Sequence, residues 1–421
     1  DEHGRRRDYL RALGFFLVAM LCKTSVVMLP GVLLLHAWWR RRRIARADWI
    51  AAAPFFAVSL ALGLVTVWLQ RSHAIGDEVL PLGGAAHRIA IAGAALVFYF
   101  WKCLWPAGLM PVYPHWPIDG RSPWHFLPWI AFALVAVACF RRPQTWRRHL
   151  VLGGGWFALH LLPFLGFVPI SYFRFTWVMD HFLYVPIIGV IGMVVALLDV
   201  ARGTRWGAAG ATAGILVLLA LSRGYAEIYR DAISLWSFAA QRNPAAWPAH
   251  NNLGLALAAT GKPAEAVAAF EAALAVKPDF VDAHNNLGNA LLALGRPADA
   301  LVHFRAILAL KPNHAPAHNN LGVALRRMGE VEPALPSIRR ALELKPDYAE
   351  AWNTLGNTLR DLGRPGEAVP NYEQAIRLAP TFAEAHYNLG LALADLGRMD
   401  EARRKIAEAR RLNPAMPDPR F

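Results

Sequence analysis

The chain has 421 residues, is 56% hydrophobic and carries a formal net charge of +14. Such a charge would suit a nucleic-acid binder, but its distribution excludes that reading. Residues 245–421 hold 20 Lys/Arg against 19 Asp/Glu, and residues 1–244 hold 24 against 11. The excess falls in short clusters between apolar runs: Arg5 to Arg7, Arg40 to Arg43, Arg141-Arg142 with Arg147-Arg148, and Arg202 with Arg205. That is the charge pattern of a polytopic membrane protein, not of a nucleic-acid face.

Seven apolar runs, approximately 8–39, 49–69, 88–105, 124–140, 150–169, 182–199 and 206–222, predict a polytopic helical membrane domain over residues 1–222. The first run is too long for one upright span and carries Lys23 in its middle. An ammonium at the bilayer centre costs about 2.5–3.5 kcal/mol or more. A hairpin of two short spans with Lys23 at the outer apex removes that cost, and a single strongly tilted helix is the alternative. In 88–105, Arg88, Ala92, Ala95, Tyr99 and Lys102 share one helical face. An amphipathic helix lying in the interface leaves every later arginine cluster cytoplasmic, whereas a crossing helix would put the Arg141 cluster outside. The interfacial arrangement places loops 70–123 and 170–181, and everything after the last run, on the extracytoplasmic side.

Cys22, Cys103 and Cys139 show no paired spacing, so neither a disulfide framework nor a metal site is indicated. No Walker loop, Rossmann glycine pattern, serine-hydrolase elbow or HExxH pair is present.

Beyond residue 222 the organisation changes. Pro244, Pro278, Pro312, Pro346, Pro380 and Pro414 stand 34 residues apart. Leu253-Gly254, Leu287-Gly288, Leu321-Gly322, Leu355-Gly356 and Leu389-Gly390 recur in one register, followed by Gly261, Gly295, Gly329, Gly363 and Gly397. Ala266, Ala300, Ala334, Ala368 and Ala402 come next, each before a bulky residue such as Phe270 or Tyr372. This resembles the tetratricopeptide repeat, a helix–turn–helix unit of about 34 residues. Small residues let two helices approach, a glycine serves the turn, and the proline ends the second helix. Five repeats fill 245–414, residues 415–421 form a tail, and the charged stretch Glu401 to Arg411 suits a solvent-facing cap. Residues 223–244 read as a connector helix and partial repeat, because Ala232, Trp236, Ala239 and Pro244 occupy second-helix positions. That connector is expected to run straight on from the last membrane segment. The whole chain is therefore all-α: a polytopic helical membrane domain followed by a tetratricopeptide-repeat superhelix.

Asn252, Asn286, Asn320 and Asn388 precede the Leu-Gly pair, with Thr354 breaking the series, and Asn289 and Asn357 lie one turn further on. Similar ladders in superhelical tetratricopeptide arrays line the concave face and hold an extended peptide. An amide can both donate to and accept from a peptide main chain. The plainer alternative is a consensus that favours solubility and helix registry.

Four stretches together resemble a known family: Leu21-Cys22-Lys23-Thr24 leading to Met28-Leu29-Pro30; Phe98 to Lys102 through Trp105-Pro106 to Tyr113-Pro114; Asp180-His181-Phe182-Leu183-Tyr184-Val185-Pro186 with Gly189; and the repeats. The set is similar to bacterial relatives of the transmembrane, tetratricopeptide-containing protein O-mannosyltransferases, of the polytopic GT-C class. The resemblance implies transfer of a sugar from a polyprenyl-phosphate donor to an extracytoplasmic, protein acceptor held by the repeats. It implies Lys23, Lys102 and Arg174 as cationic partners of the donor phosphate, where snorkelling to the head groups is the plainer role. Asp180 and His181 would order the site, and Tyr113, His115 and Trp116 would floor an aromatic sugar site or, equally, form an interfacial aromatic belt. In that class the acidic catalytic residue lies in the first extracytoplasmic loop, and the chain begins too late to include it. The resemblance therefore implies an N-terminally truncated enzyme, and the catalytic residue is unknown. Asp77-Glu78 is the only acidic pair before the repeats in the expected compartment, in a different loop. The rival expectation is a non-catalytic, membrane-anchored repeat scaffold for envelope or polysaccharide assembly. Either way the expected partners are membrane lipid and a protein or peptide in the repeat groove, in a bacterial inner membrane with the repeats periplasmic.

Overall fold

The structure, a computed structural model, describes residues 2–22, 26–75, 80–141, 144–174, 176–201 and 205–419. Lys23 and the pair Asp77-Glu78 lie outside the described residues. Every regular element described is helical, and the chain divides into two compact units, Asp1–Ala246 and Trp247–Phe421.

The first unit contains α1 (Glu2–Cys22), α2 (Leu29–Arg41), α3 (Arg46–Leu69), α4 (Ala85–Leu104), α5 (Leu127–Phe140), α6 (Gln144–Leu161), α7 (Ile187–Ala201), α8 (Arg205–Ile228) and α9 (Ala232–Arg242). The first apolar run is divided between α1 and α2. Pro30 sits in the first turn of α2, where its missing N–H leaves no helical bond unmade. α3 packs on both, with Phe16 and Met20 of α1 meeting Phe55. Among the described residues, two segments, Arg46–Ile75 and Ala85–Leu104, are long and apolar enough to cross a membrane. The runs carried by α2 and α5 are cut short by their helix ends. The 13-residue α2 and 14-residue α5 reach only about 20 Å, against about 30 Å of hydrocarbon.

The core of this unit is built on α4. Ala92, Ala95 and Tyr99 are fully buried, so the face they share with Arg88 and Lys102 is a packing face. That differs from the polar side expected of a helix lying in an interface. The two alanines let the loops after α4 and after α6 close onto the helix, and the two charges sit at its ends. Leu82, Met110, Tyr113, Leu161, Leu165, Tyr172, Phe173, Trp177 and Leu183 complete the cluster. Against it, α6 and α7 touch backbone to backbone: a Cβ on Gly189 would lie 2.3 Å from the Gly153 carbonyl oxygen.

α8 runs on into the connector but not through it. It ends at Ile228, and Asp231 caps a separate α9 by accepting from the Ser234 N–H at 2.8 Å. Phe238 of α9 packs against the α4 core, and the Asn243 side-chain amide donates to the Val112 carbonyl at 3.4 Å. The partial repeat thus belongs to the first unit.

The second unit is five helix pairs: α10 (Trp247–Ala259) with α11 (Pro263–Val276), α12 (Val281–Ala293) with α13 (Pro297–Leu310), α14 (Ala315–Arg327) with α15 (Val331–Leu344), α16 (Ala349–Asp361) with α17 (Pro365–Leu378), and α18 (Ala383–Asp395) with α19 (Met399–Leu412). Within a pair the helices meet where the Leu-Gly glycine faces the bulky residue. A Cβ at Gly288 would come within 2.6 Å of the Phe304 ring. The turn glycine is required differently, since Gly295 adopts φ +71°. Each second helix also packs on the first helix of the next pair, so the core is continuous along the array.

Candidate functional site

Each unit presents one candidate. In the repeats, the asparagines form two columns rather than one. The Nδ2 of Asn286 donates to Oδ1 of Asn251 at 3.0 Å, Asn320 donates to Asn285 at 3.0 Å, and Asn388 donates to Asn353 at 3.0 Å. Asn251, Asn319 and Asn353 are buried, and Asn252, Asn286, Asn320 and Asn388 are half-buried. The inner column anchors the outer one across every seam where both residues are asparagine. An amide carries two N–H donors and a carbonyl oxygen with two lone pairs. Asn286 and Asn388 spend one donor on the seam and keep a donor and an acceptor for another group. Asn320 is more fully used, because it also donates to Asn289 Oδ1 at 3.4 Å and accepts from Asn319 at 3.3 Å. Asn357 accepts from the Tyr372 hydroxyl at 2.8 Å. The inner column went unread in the sequence, although the doublets Asn251-Asn252, Asn285-Asn286 and Asn319-Asn320 display it.

Thr354 interrupts the outer column. Its hydroxyl donates to the Glu350 carbonyl of its own helix at 2.8 Å, and Asn319 Oδ1 is left buried without a partner. Further along the same helices, Arg326 pairs with Asp361 at 2.7 Å and Arg360 with Asp395 at 2.5 Å.

In the first unit, Asp180 ties the loop after α6 to the loop after α4. Its Oδ1 accepts from the Tyr113 hydroxyl at 2.7 Å and its Oδ2 from the Met110 N–H at 2.9 Å. Burial pushes its carboxyl up to about 6, against the opposing pull of those two bonds and of the Lys102 charge. Burial, with the neighbouring Asp180 charge, also drives the Tyr113 phenol upward. The Lys102 ammonium donates to the Ala107 carbonyl and to that of Gly108 at 3.3 Å, and lies 5.4 Å from the Phe98 ring centroid. Lys102, Tyr113 and Asp180 are therefore brought together. In this arrangement Lys102 closes the turn after α4.

The remaining expected residues sit around that group. His115 bonds through Nε2 to the Phe173 carbonyl at 3.2 Å and packs against Trp177. Arg174 donates from Nε to the Ser171 carbonyl at 3.0 Å, in the loop that carries Tyr172 and Phe173. His181 is exposed beside Phe182. Tyr225 went unread in the sequence, and Tyr99 is read there only as part of the α4 face. The Tyr99 hydroxyl accepts from the Met179 N–H at 2.9 Å, and Tyr225 accepts from the Leu109 N–H at 2.8 Å. Pro106, Leu109, Leu221, Ser222, Tyr225, Ala226 and Tyr229 line an open cleft of about 280 Å³ there. Among the described residues no group of three or more His, Cys, Asp or Glu could hold a metal ion.

The tetratricopeptide repeat family matches residues 217–279, 259–315, 285–349 and 353–417. No curated protein matches the chain. Among solved structures, MamA is 28% identical over 38% of this chain and 95% of its own, with a TM-score of 0.33. TTC0263, a thermophilic TPR protein of Thermus thermophilus, is 29% identical over 40% of this chain and 93% of its own, with a TM-score of 0.38. YrrB, described as a TPR protein with an unusual peptide-binding site, is 23% identical over 44% of this chain and 95% of its own, with a TM-score of 0.33. The 34-residue period, the paired helices and the family match agree: this chain carries an array of tetratricopeptide repeats.

Proposed function

We propose that the chain is a membrane-anchored tetratricopeptide scaffold whose asparagine columns hold an extended segment of a protein partner. The observation that carries this reading is the state of Asn286 and Asn388. Each spends one N–H on the seam and keeps a donor and an acceptor, the complement of a peptide unit. Asn252 begins the column and closes no seam with a preceding repeat, so it is the cleanest probe. In fluorescence anisotropy with labelled, acetylated and amidated peptides, Asn252→Ala together with Asn388→Ala is expected to weaken binding at least about tenfold, equivalent to about 1.4 kcal/mol. Unchanged affinity with an unchanged helical signal removes the peptide role.

The membrane part of the proposal draws on the two segments of spanning length and on large apolar side chains exposed on several helices of the first unit. Phe15, Leu60, Leu64, Leu134, Ile191 and Leu219 are all more than half exposed. With α4 not crossing, the arginine clusters favour a bacterial inner membrane with the repeats outside the cytoplasm; a crossing α4 would put the Arg141 cluster outside. Cysteine labelling of single-cysteine variants tests this: modification of a repeat cysteine only after permeabilising the inner membrane would reverse the orientation.

A second reading, sugar transfer from a polyprenyl-phosphate donor, is favoured by one observation. Lys102 and Tyr113, from one stretch named by the family resemblance, come together with the distant Asp180 from another. Lys23 and Arg174 would add cationic partners for the donor phosphate. Transfer from polyprenyl-phosphate sugars in membranes holding the full-length protein is the test. Activity that survives Lys23→Ala and Lys102→Ala would remove the phosphate assignment.

A further inference from the structure

The seam between the third and fourth repeats differs from those around it. At three seams an outer asparagine closes onto the inner asparagine of the preceding repeat. Here the outer residue is Thr354, which has no amide and whose hydroxyl is committed to Glu350 of its own helix. Asn319, only 4% exposed, keeps its Oδ1 without a partner. Seven residues on, about 10 Å along α14, the Nε of Arg326 is also buried without a partner, while its NH1 is held by Asp361 on α16. An acceptor and a donor thus stand unspent beside one seam. A buried acceptor without a donor is costly, and any group that supplies the donor recovers that cost.

We propose that this seam is the specificity subsite of the groove, and that it selects a carboxamide side chain, asparagine or glutamine, on the bound segment. The inference rests on the peptide-holding reading of the columns. The incoming amide takes the role that Asn286, Asn320 and Asn388 play at the other seams: its N–H inserts beside Thr354 and donates to Asn319 Oδ1. The Arg326 Nε offers a donor to a main-chain carbonyl of the same extended segment. Elsewhere the columns read only main chain, so the sequence preference of the array is concentrated at Thr354.

The test uses the full chain in detergent and a positional library of acetylated, amidated nonapeptides in an alanine–serine background. Each position in turn is set to Gln or to Met, which matches its length and lacks its amide. Wild-type protein is expected to favour Gln over Met at one position by roughly tenfold. Thr354→Asn fills the seam internally, so it is expected to abolish that preference, read as equal affinity for the Gln and Met peptides. Asn286→Thr opens an equivalent fault above Asn251 and is expected to create a second preferred position. If Thr354→Asn fails to fold by circular dichroism, Asn286→Thr decides alone. A wild-type protein that binds the background peptide with no Gln preference overturns the inference and leaves the groove reading standing, as does a preference that Thr354→Asn leaves intact. Absence of all peptide binding overturns both.

Discussion

Asp180 ionises against its surroundings. Its carboxyl is raised to about 6 in the folded chain, against roughly 4 in an unfolded one. The native state therefore binds more protons than the unfolded state between those values. Stability rises as pH falls from about 6 to about 4, and that gain is lost as pH rises through 6. Thermal melts of the detergent-solubilised chain should show this slope, and Asp180→Asn should flatten it. Asp180→Ala leaves the Tyr113 hydroxyl without its acceptor and the Met110 N–H with only its bond to the Tyr113 oxygen at 3.0 Å, and should cost about 1–3 kcal/mol by chemical denaturation. In the repeats, Gly288→Ala would drive a methyl into the Phe304 ring and is expected to destabilise by about 1–3 kcal/mol. The two cases were unequally legible in the sequence. Gly288 recurs in four sister repeats, so its role is written five times over. The bond between Tyr113 and Asp180 spans 67 residues with no period to announce it, and only the tertiary fold reveals it.

Among the elements, the repeat prolines have a second task beyond ending a helix. The carbonyls of Pro278, Pro312, Pro346 and Pro380 accept from a ring N–H six residues on, supplied by His284, His318, Trp352 and His386 at 2.8–3.0 Å. This bond fastens the loop to the first turn of the next helix, where backbone groups are otherwise unpaired. Trp352→Phe removes the donor while keeping most of the apolar body. It should cost about 0.5–1.5 kcal/mol, read as a lower denaturation midpoint with an unchanged slope. The break between α8 and α9 was legible in principle. Asp231 followed three residues later by Ser234 can cap a helix start, yet the surrounding helical pattern concealed the stop.

At the scale of the whole molecule, the array is stabilised by neighbours, so its ends matter. α19 packs on α18 with Ala402, Ile406 and Ala409 buried and carries charged residues on its other side. Ending the chain after Asp395 would uncover Leu389 and Leu393 of α18. The truncated protein should lose stability well beyond that of any single surface change, seen as a lower melting temperature and aggregation by light scattering. This half was legible from spacing alone. The first unit was legible only as apolar runs, because run length marks hydrophobicity and not where each helix starts and stops.

The amides of the columns also share a direction. At all three closed seams the outer asparagine donates toward the earlier repeat, never toward the later one. The donors of the row therefore share one direction along the array. A polypeptide strand is itself polar, so a segment and its reversed sequence present different partners to this row. On the proposed peptide reading, the row favours one direction of the bound segment over the other.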